Sequence, residues 1–251
     1  MNYFTNLIYL LRDSEKFWLE ISQNIKIKQK IYTLLIASTI LFAIYGAIIG
    51  STHSWMQMLS SAVKLPALYL ITLAICLPTL YFFDVLFGSK LNIGQYAALL
   101  LSNIAVVSVL LFALAPVTIF ILISSPNYRF FLLLNVAIFA ITGFFGIKLF
   151  YQGVGFLNHR NEDVKQEEAL VKETLPLEIS ASSDLAKNSA QVRKSLMRVW
   201  LILYGLVGSQ MAWTLRPFVN ASGEHFELIR KIESNFYIEV FKHFINLMRG
   251  S

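Results

Sequence analysis

The chain has 251 residues, of which 56% are apolar and only 14% charged, with a net charge of +6 and one cysteine. Soluble domains run near 45–50% apolar and about 25% charged, so this composition excludes an ordinary soluble fold and reads as a membrane protein. The single Cys76 excludes an intrachain disulfide, and because Lys and Arg flank apolar runs, the positive charge is assigned to lipid headgroups rather than nucleic acid.

Residues 1–30 place Phe4, Leu7, Leu11, Trp18 and Ile21 at roughly helical spacing, with Arg12, Lys16 and Glu20 between them. This predicts an amphipathic segment, whose apolar stripe suits either the membrane surface or the protein's own cytosolic loops. Lys26, Lys28 and Lys30 come immediately before the first apolar run, and by the positive-inside rule they hold the N-terminus in the cytoplasm. That run is long enough to span and has no small-residue cleavage site after a short core, so a secretory signal is not expected.

Span one covers about 31–50, with Thr39, Ala43 and Ala47 forming a small-residue ridge. A connector over 51–64 is polar enough for the interface, with Trp55 as a headgroup anchor. His53 in it has no second ligand at metal-binding spacing and reads as an interfacial histidine. Span two, about 65–87, has Pro66 in its first turn, where the missing N–H is harmless, and Pro78 in its interior. Pro78 is expected to kink the helix, shaping a packing surface more readily than a cavity. Asp84 near its end is expected to reach water or pair with Lys90.

A short turn makes spans two and three antiparallel neighbours. Span three, 96–124, carries Asn103 as its strongly polar side chain, expected to bond across to another helix, and Pro116 as a bend. Span four, about 130–151, contains Asn135, Gly143, Gly146 and Lys148. Residues 152–195 form a polar connector with nearly balanced charge; 161–174 and 183–195 look helical, which suits a cytosolic hairpin.

The last apolar run, 196–217, is about 30 Å long as a helix and reads as span five and as a packing axis for the others. Gly205 and Ser209 share one face, with Gly208 beside them. Gln210, Thr214 and Arg216, followed by Pro217 and next to Trp213, form the candidate functional cluster. A cation beside two polar groups on one face suits an anionic headgroup, a permeating anion or a partner carboxylate; it equally suits a boundary anchor with an interhelical hydrogen-bond donor. Residues 218–251 repeat Phe226, Ile229, Phe236, Val240, Phe244 and Leu247 at helical intervals, a second amphipathic segment. Five spans place it in the periplasm.

No HExxH, GxSxG, CxxC pair, Walker loop or acidic ligand cluster occurs, and every histidine lies outside the spans, so no enzyme activity, metal or cofactor is expected. The segments Ala62-Val-Lys-Leu-Pro66, Thr72-Leu-Ala-Ile-Cys-Leu-Pro78, Gly205-Leu-Val-Gly-Ser-Gln-Met-Ala-Trp-Thr-Leu-Arg-Pro-Phe218 and Ser234-Asn-Phe-Tyr237 resemble a family of uncharacterised bacterial five-span integral membrane proteins. The layout distantly resembles Yip-type proteins, although their DLYGP motif is missing before span one; that resemblance implies membrane organisation through partners.

The expected architecture is therefore an all-α transmembrane bundle of about five helices with amphipathic interfacial helices at both termini, in a bacterial inner membrane. The expected function is a non-catalytic assembly or scaffold subunit, alternatively an oligomeric channel or transporter subunit. Its partners are the lipid bilayer and other membrane subunits or copies of itself, not nucleic acid.

Overall fold

A computed structural model describes residues 4–51, 55–86, 91–124, 128–172 and 198–212, with the single positions 195, 238 and 245. All regular structure in these residues is helical: α1 (Thr5–Arg12), α2 (Ser14–Ser22), α3 (Ile27–Gly50), α4 (Trp55–Leu86), α5 (Ile93–Ser124) and α6 (Tyr128–Lys172), followed by a helical stretch over 198–212. Four helices, α3, α4, α5 and the 130–157 part of α6, are long and apolar enough to cross a membrane. The chain is a multi-pass membrane protein whose described residues are helical. Large side chains such as Phe82, Phe120, Ile123 and Phe144 face outward from these helices, as lipid-facing positions require.

The central helix is α5, which packs on α3, α6 and α4 and buries a nearly continuous run from Ala98 to Ala105. This half of α5 is buried on nearly every face, whereas Phe112, Val117, Phe120 and Ile123 in its other half face outward. The 198–212 stretch, read from sequence as the packing axis, takes a peripheral place among the described residues. Trp200 stacks on Tyr204 and meets Phe150, whereas Val199, Ile202, Leu203 and Leu206 are exposed. Hydropathy cannot rank spans by centrality, because a lipid-facing side chain and a core side chain are equally apolar.

The connector expected over 51–64 is much shorter in the structure, since α4 already begins at Trp55. The reason lies in α3: Gly46 and Gly50 bring its backbone against Gln57, Met58 and Ser61, so this polar stretch is held as helix by close packing. Gln57 and Ser61 are buried there. Pro66 consequently lies inside α4 and not in its first turn, and the helix continues through both Pro66 and Pro78. Neighbouring helices can stabilise such interruptions within a bundle.

The N-terminal segment forms two short helices that lie across one end of the bundle, against α3, α5 and α6. Leu7, Leu10, Phe17, Trp18 and Ile21 are buried in the main core. At about 1.5–3 kcal/mol for each large apolar side chain, this burial dominates the docking. Trp18 sits over Gly153 of α6 and beside Phe156. The opposite face of α1 exposes Phe4, Ile8 and Leu11, a second apolar stripe directed away from the protein. Of the two surfaces open to this segment, the protein thus takes one face of α1 and leaves the other. The structure differs from the sequence reading in one detail: the protein surface involved is formed by the spans themselves.

Helix α6 continues to Lys172, well beyond its apolar part. His53, Lys90, residues 173–194 of the connector, Trp213, Thr214, Arg216, Pro217 and nearly all of the C-terminal segment lie outside the described residues.

Candidate functional site

The polar side chains that sequence reasoning left scattered converge where α1 and α2 meet the ends of the spans. Lys30, in the first turn of α3, points inward and is almost fully buried. Its Nζ lies 2.6 Å from Glu20 Oε2 and 4.4 Å from the centre of the Phe17 ring. The other carboxylate oxygen of Glu20 accepts a 3.0 Å hydrogen bond from the Tyr9 hydroxyl. One glutamate thus joins α1, α2 and α3. The Lys30 hydrogen bond, reinforced by Tyr9, holds the Glu20 carboxyl below its ordinary range. Burial and this carboxylate push the Tyr9 phenol upward.

A second junction is made by Gln95. Its Oε1 accepts the backbone N–H of Asn92 at 2.8 Å, the reciprocal half of a capping arrangement at the start of α5. Its Nε2 donates to the carbonyls of Ile21 and Ser22 at 3.1 and 3.0 Å. Both carbonyls lie at the end of α2; that of Ile21 also accepts the Asn24 N–H at 3.1 Å, so the amide matters most for Ser22. One buried amide therefore caps two helices. Nearby, Asn6 donates to Thr33 at 2.6 Å, tying α1 to α3.

Asp84, expected to reach water, is buried, and its carboxylate accepts the hydroxyl proton of Tyr96 across the α4–α5 junction. The short connection brings the two helix ends together; nothing in the local pattern around Asp84 predicts a tyrosine partner. At the opposite end, Tyr45, Thr118 and Asn135 join α3, α5 and α6 through hydroxyl and amide contacts of 3.2 and 3.3 Å. Asn103 does not bond across to another helix as expected: its Oδ1 is buried without a partner among the described residues and lies over Gly146.

Of the sequence-predicted cluster, Gly208 faces the Thr72 methyl of α4, where a Cβ would sit 3.9 Å away. Gly205 has open space around it among the described residues, and Ser209 bonds back to the Leu206 carbonyl at 2.9 Å. Gln210 is half-buried. Pro66 is buried and Pro78 exposed. Trp213, Thr214, Arg216 and Pro217 fall outside the described residues. No three His, Cys, Asp or Glu side chains converge among the described residues.

The junction ties the two N-terminal helices to the ends of the spans. The Lys26–Lys28–Lys30 cluster also divides here. Lys30 is consumed by Glu20, while Lys26 and Lys28 stay exposed beside an open cleft. Compared with protein-family models, curated proteins and solved structures, the chain gives no match to any of them.

Proposed function

We propose that the protein is a non-catalytic scaffold or assembly subunit of a bacterial inner-membrane complex. The observation that carries this reading is the locking of α1 and α2 onto the spans by Gln95 and Glu20, over a core of buried aromatic and aliphatic side chains. A module held in this way presents a fixed surface at the membrane face, which suits a partner that must dock in one orientation. The apolar stripe of α1 provides a surface for such contacts.

The second reading is an oligomeric channel or transporter subunit. It is favoured by the buried, unpartnered oxygen of Asn103 within a span. The outward positions of Pro78 and Pro116 would place bent helix surfaces between subunits in that case.

Mild-detergent affinity purification from native membranes, followed by mass determination of the intact complex, separates the two. A stoichiometric second protein supports the scaffold. A discrete homo-oligomer without a partner, with liposome flux lost in Arg216→Ala but assembly retained, would overturn it in favour of the channel. The proposed topology has a cytoplasmic N-terminus and a periplasmic C-terminus. A cysteine at Ser222 should react with an impermeant maleimide in intact cells; reaction only after permeabilisation would reverse it.

A further inference from the structure

We propose that the cleft at the start of α3 binds an anionic glycerophospholipid, with its phosphate held by Lys26 and Lys28 and its glycerol and upper acyl chain lying on Ile27 and Ile31. The cleft has a volume of about 740 Å³ and is lined by Asn24, Lys26, Ile27, Lys28, Gln29 and Ile31, with Gly94 of α5 opposite.

Charge complementarity selects the occupant. Lys30 is neutralised by Glu20, and Lys16 by Asp13 at 2.7 Å. Lys26 and Lys28 form no ion pair among the described residues. Glu20, the carboxylate that senses Lys26, is already shared between Lys30 and Tyr9. The cleft therefore carries two uncompensated cations, with the Asn24 and Gln29 amides beside them, and each cation near an anionic membrane surface contributes about 1 kcal/mol.

Position and lining select a lipid. Ile27 is the first residue of span α3, and Gly94 lies in the first turn of span α5, so the cleft opens at the membrane boundary. Ile27 and Ile31 are one helical turn apart and continue into the span, while the lysines and amides stay at its foot. A soluble anion would use the lysines and leave this apolar wall exposed; a phospholipid uses both. A choline headgroup would set a fixed cation against the lysines, so selectivity for net negative lipids follows.

The test uses the full chain in nanodiscs of phosphatidylcholine containing a minority of phosphatidylglycerol, with lipids retained through detergent extraction counted by native mass spectrometry. Wild type should retain phosphatidylglycerol selectively. The variant Lys26→Gln/Lys28→Gln should weaken retention about 30-fold, corresponding to about 1 kcal/mol for each cation. Lys26→Arg/Lys28→Arg should retain it, which shows that the sites fold. The charge-matched variant Arg12→Gln/Lys16→Gln, outside the cleft, should stay within twofold of wild type.

Equal losses in the two Gln variants would overturn the proposal in favour of diffuse surface attraction. Equal retention of phosphatidylcholine, or displacement of the lipid by inorganic phosphate alone, would also overturn it, the latter by identifying a soluble anion site. None of these outcomes depends on the scaffold reading.

Discussion

A Cβ placed on Gly46 of α3 would lie 2.5 Å from the carbonyl oxygen of Ser61 in α4, and one on Gly50 would lie 2.6 Å from the carbonyl oxygen of Gln57. In both cases the obstacle is backbone, which cannot swing aside as a side-chain tip can. Gly46→Ala and Gly50→Ala should each destabilise the α3–α4 pair by about 1–3 kcal/mol, the usual range for overpacking. Gly143→Ala and Gly205→Ala meet no described atom and should be neutral or gain up to about 1 kcal/mol from helix propensity. Thermal midpoints in detergent measure all four, and equal effects at the two pairs of sites would contradict this packing.

The Glu20–Lys30 pair is asymmetric in exposure, with the lysine side chain 4% and the glutamate 34% accessible. Glu20→Ala leaves a charge buried without its partner and should cost about 3–5 kcal/mol. Lys30→Met should cost clearly less, because the glutamate left behind can rehydrate. Hydrogen-exchange protection of residues 5–22 provides the measurement. A larger loss in Lys30→Met would mean that the lysine is not buried as described.

The same pair sets a pH dependence. The Glu20 carboxyl is lowered in the folded state relative to an unfolded value near 4.3. Its contribution to docking is therefore complete above that value and is lost as the pH falls through the lowered folded value. Acidification should release α1 and α2 first, seen as loss of protection over 5–22 while the spans stay protected. Glu20→Gln should remove most of this pH response.

Gln95→Leu should leave two backbone groups, the Asn92 N–H and the Ser22 carbonyl, without their bonds, at about 1–3 kcal/mol each before water relieves them, while the Ile21 carbonyl keeps its bond from the Asn24 N–H. Gln95→Glu keeps the acceptor for the Asn92 N–H but sets a carboxylate against the Ile21 and Ser22 carbonyls. It should therefore uncouple α2 while the start of α5 stays protected. Exchange rates at these two helix ends report the split, and simultaneous loss at both would refute the dual capping role.

Asn103 and Gly146 should be energetically coupled. A Cβ on Gly146 would collide with Asn103 Oδ1 and come 2.5 Å from Val107 Cγ2. Gly146→Ala should destabilise the α5–α6 contact, and Asn103→Ala should rescue part of that loss, with Val107 limiting the recovery. The coupling should reach about 0.5–3 kcal/mol in a double-mutant cycle. Strict additivity would show that the asparagine does not occupy this position.

The four long spans were legible because their length and hydropathy are properties of each segment alone. The helical character of 196–217 was legible for the same reason, and 198–212 is helical in the structure. The junction was not legible. Glu20 and Lys30 look like ordinary surface charges until α2 folds back on α3, and Gln95 acquires its second role only when the end of α2 arrives. Asp84 was read as a carboxylate reaching water or Lys90; its burial and its Tyr96 partner depend on how α4 and α5 meet. Gly46 and Gly50 stand four residues apart and carried a readable close-packing signal; the Thr39–Ala43–Ala47 ridge drew attention to a different face of the same helix.

By itself, the sequence determined that this chain is helical and crosses a membrane several times, because a lipid environment requires each spanning segment to satisfy its own backbone and to be apolar throughout. Tertiary structure alone decided which span is central, where α4 begins and which charges are consumed internally. These outcomes depend on which faces meet, and in a chain whose lipid-facing and core-facing residues are equally apolar, that choice is made by close approach at a few glycines and by polar ties between distant residues.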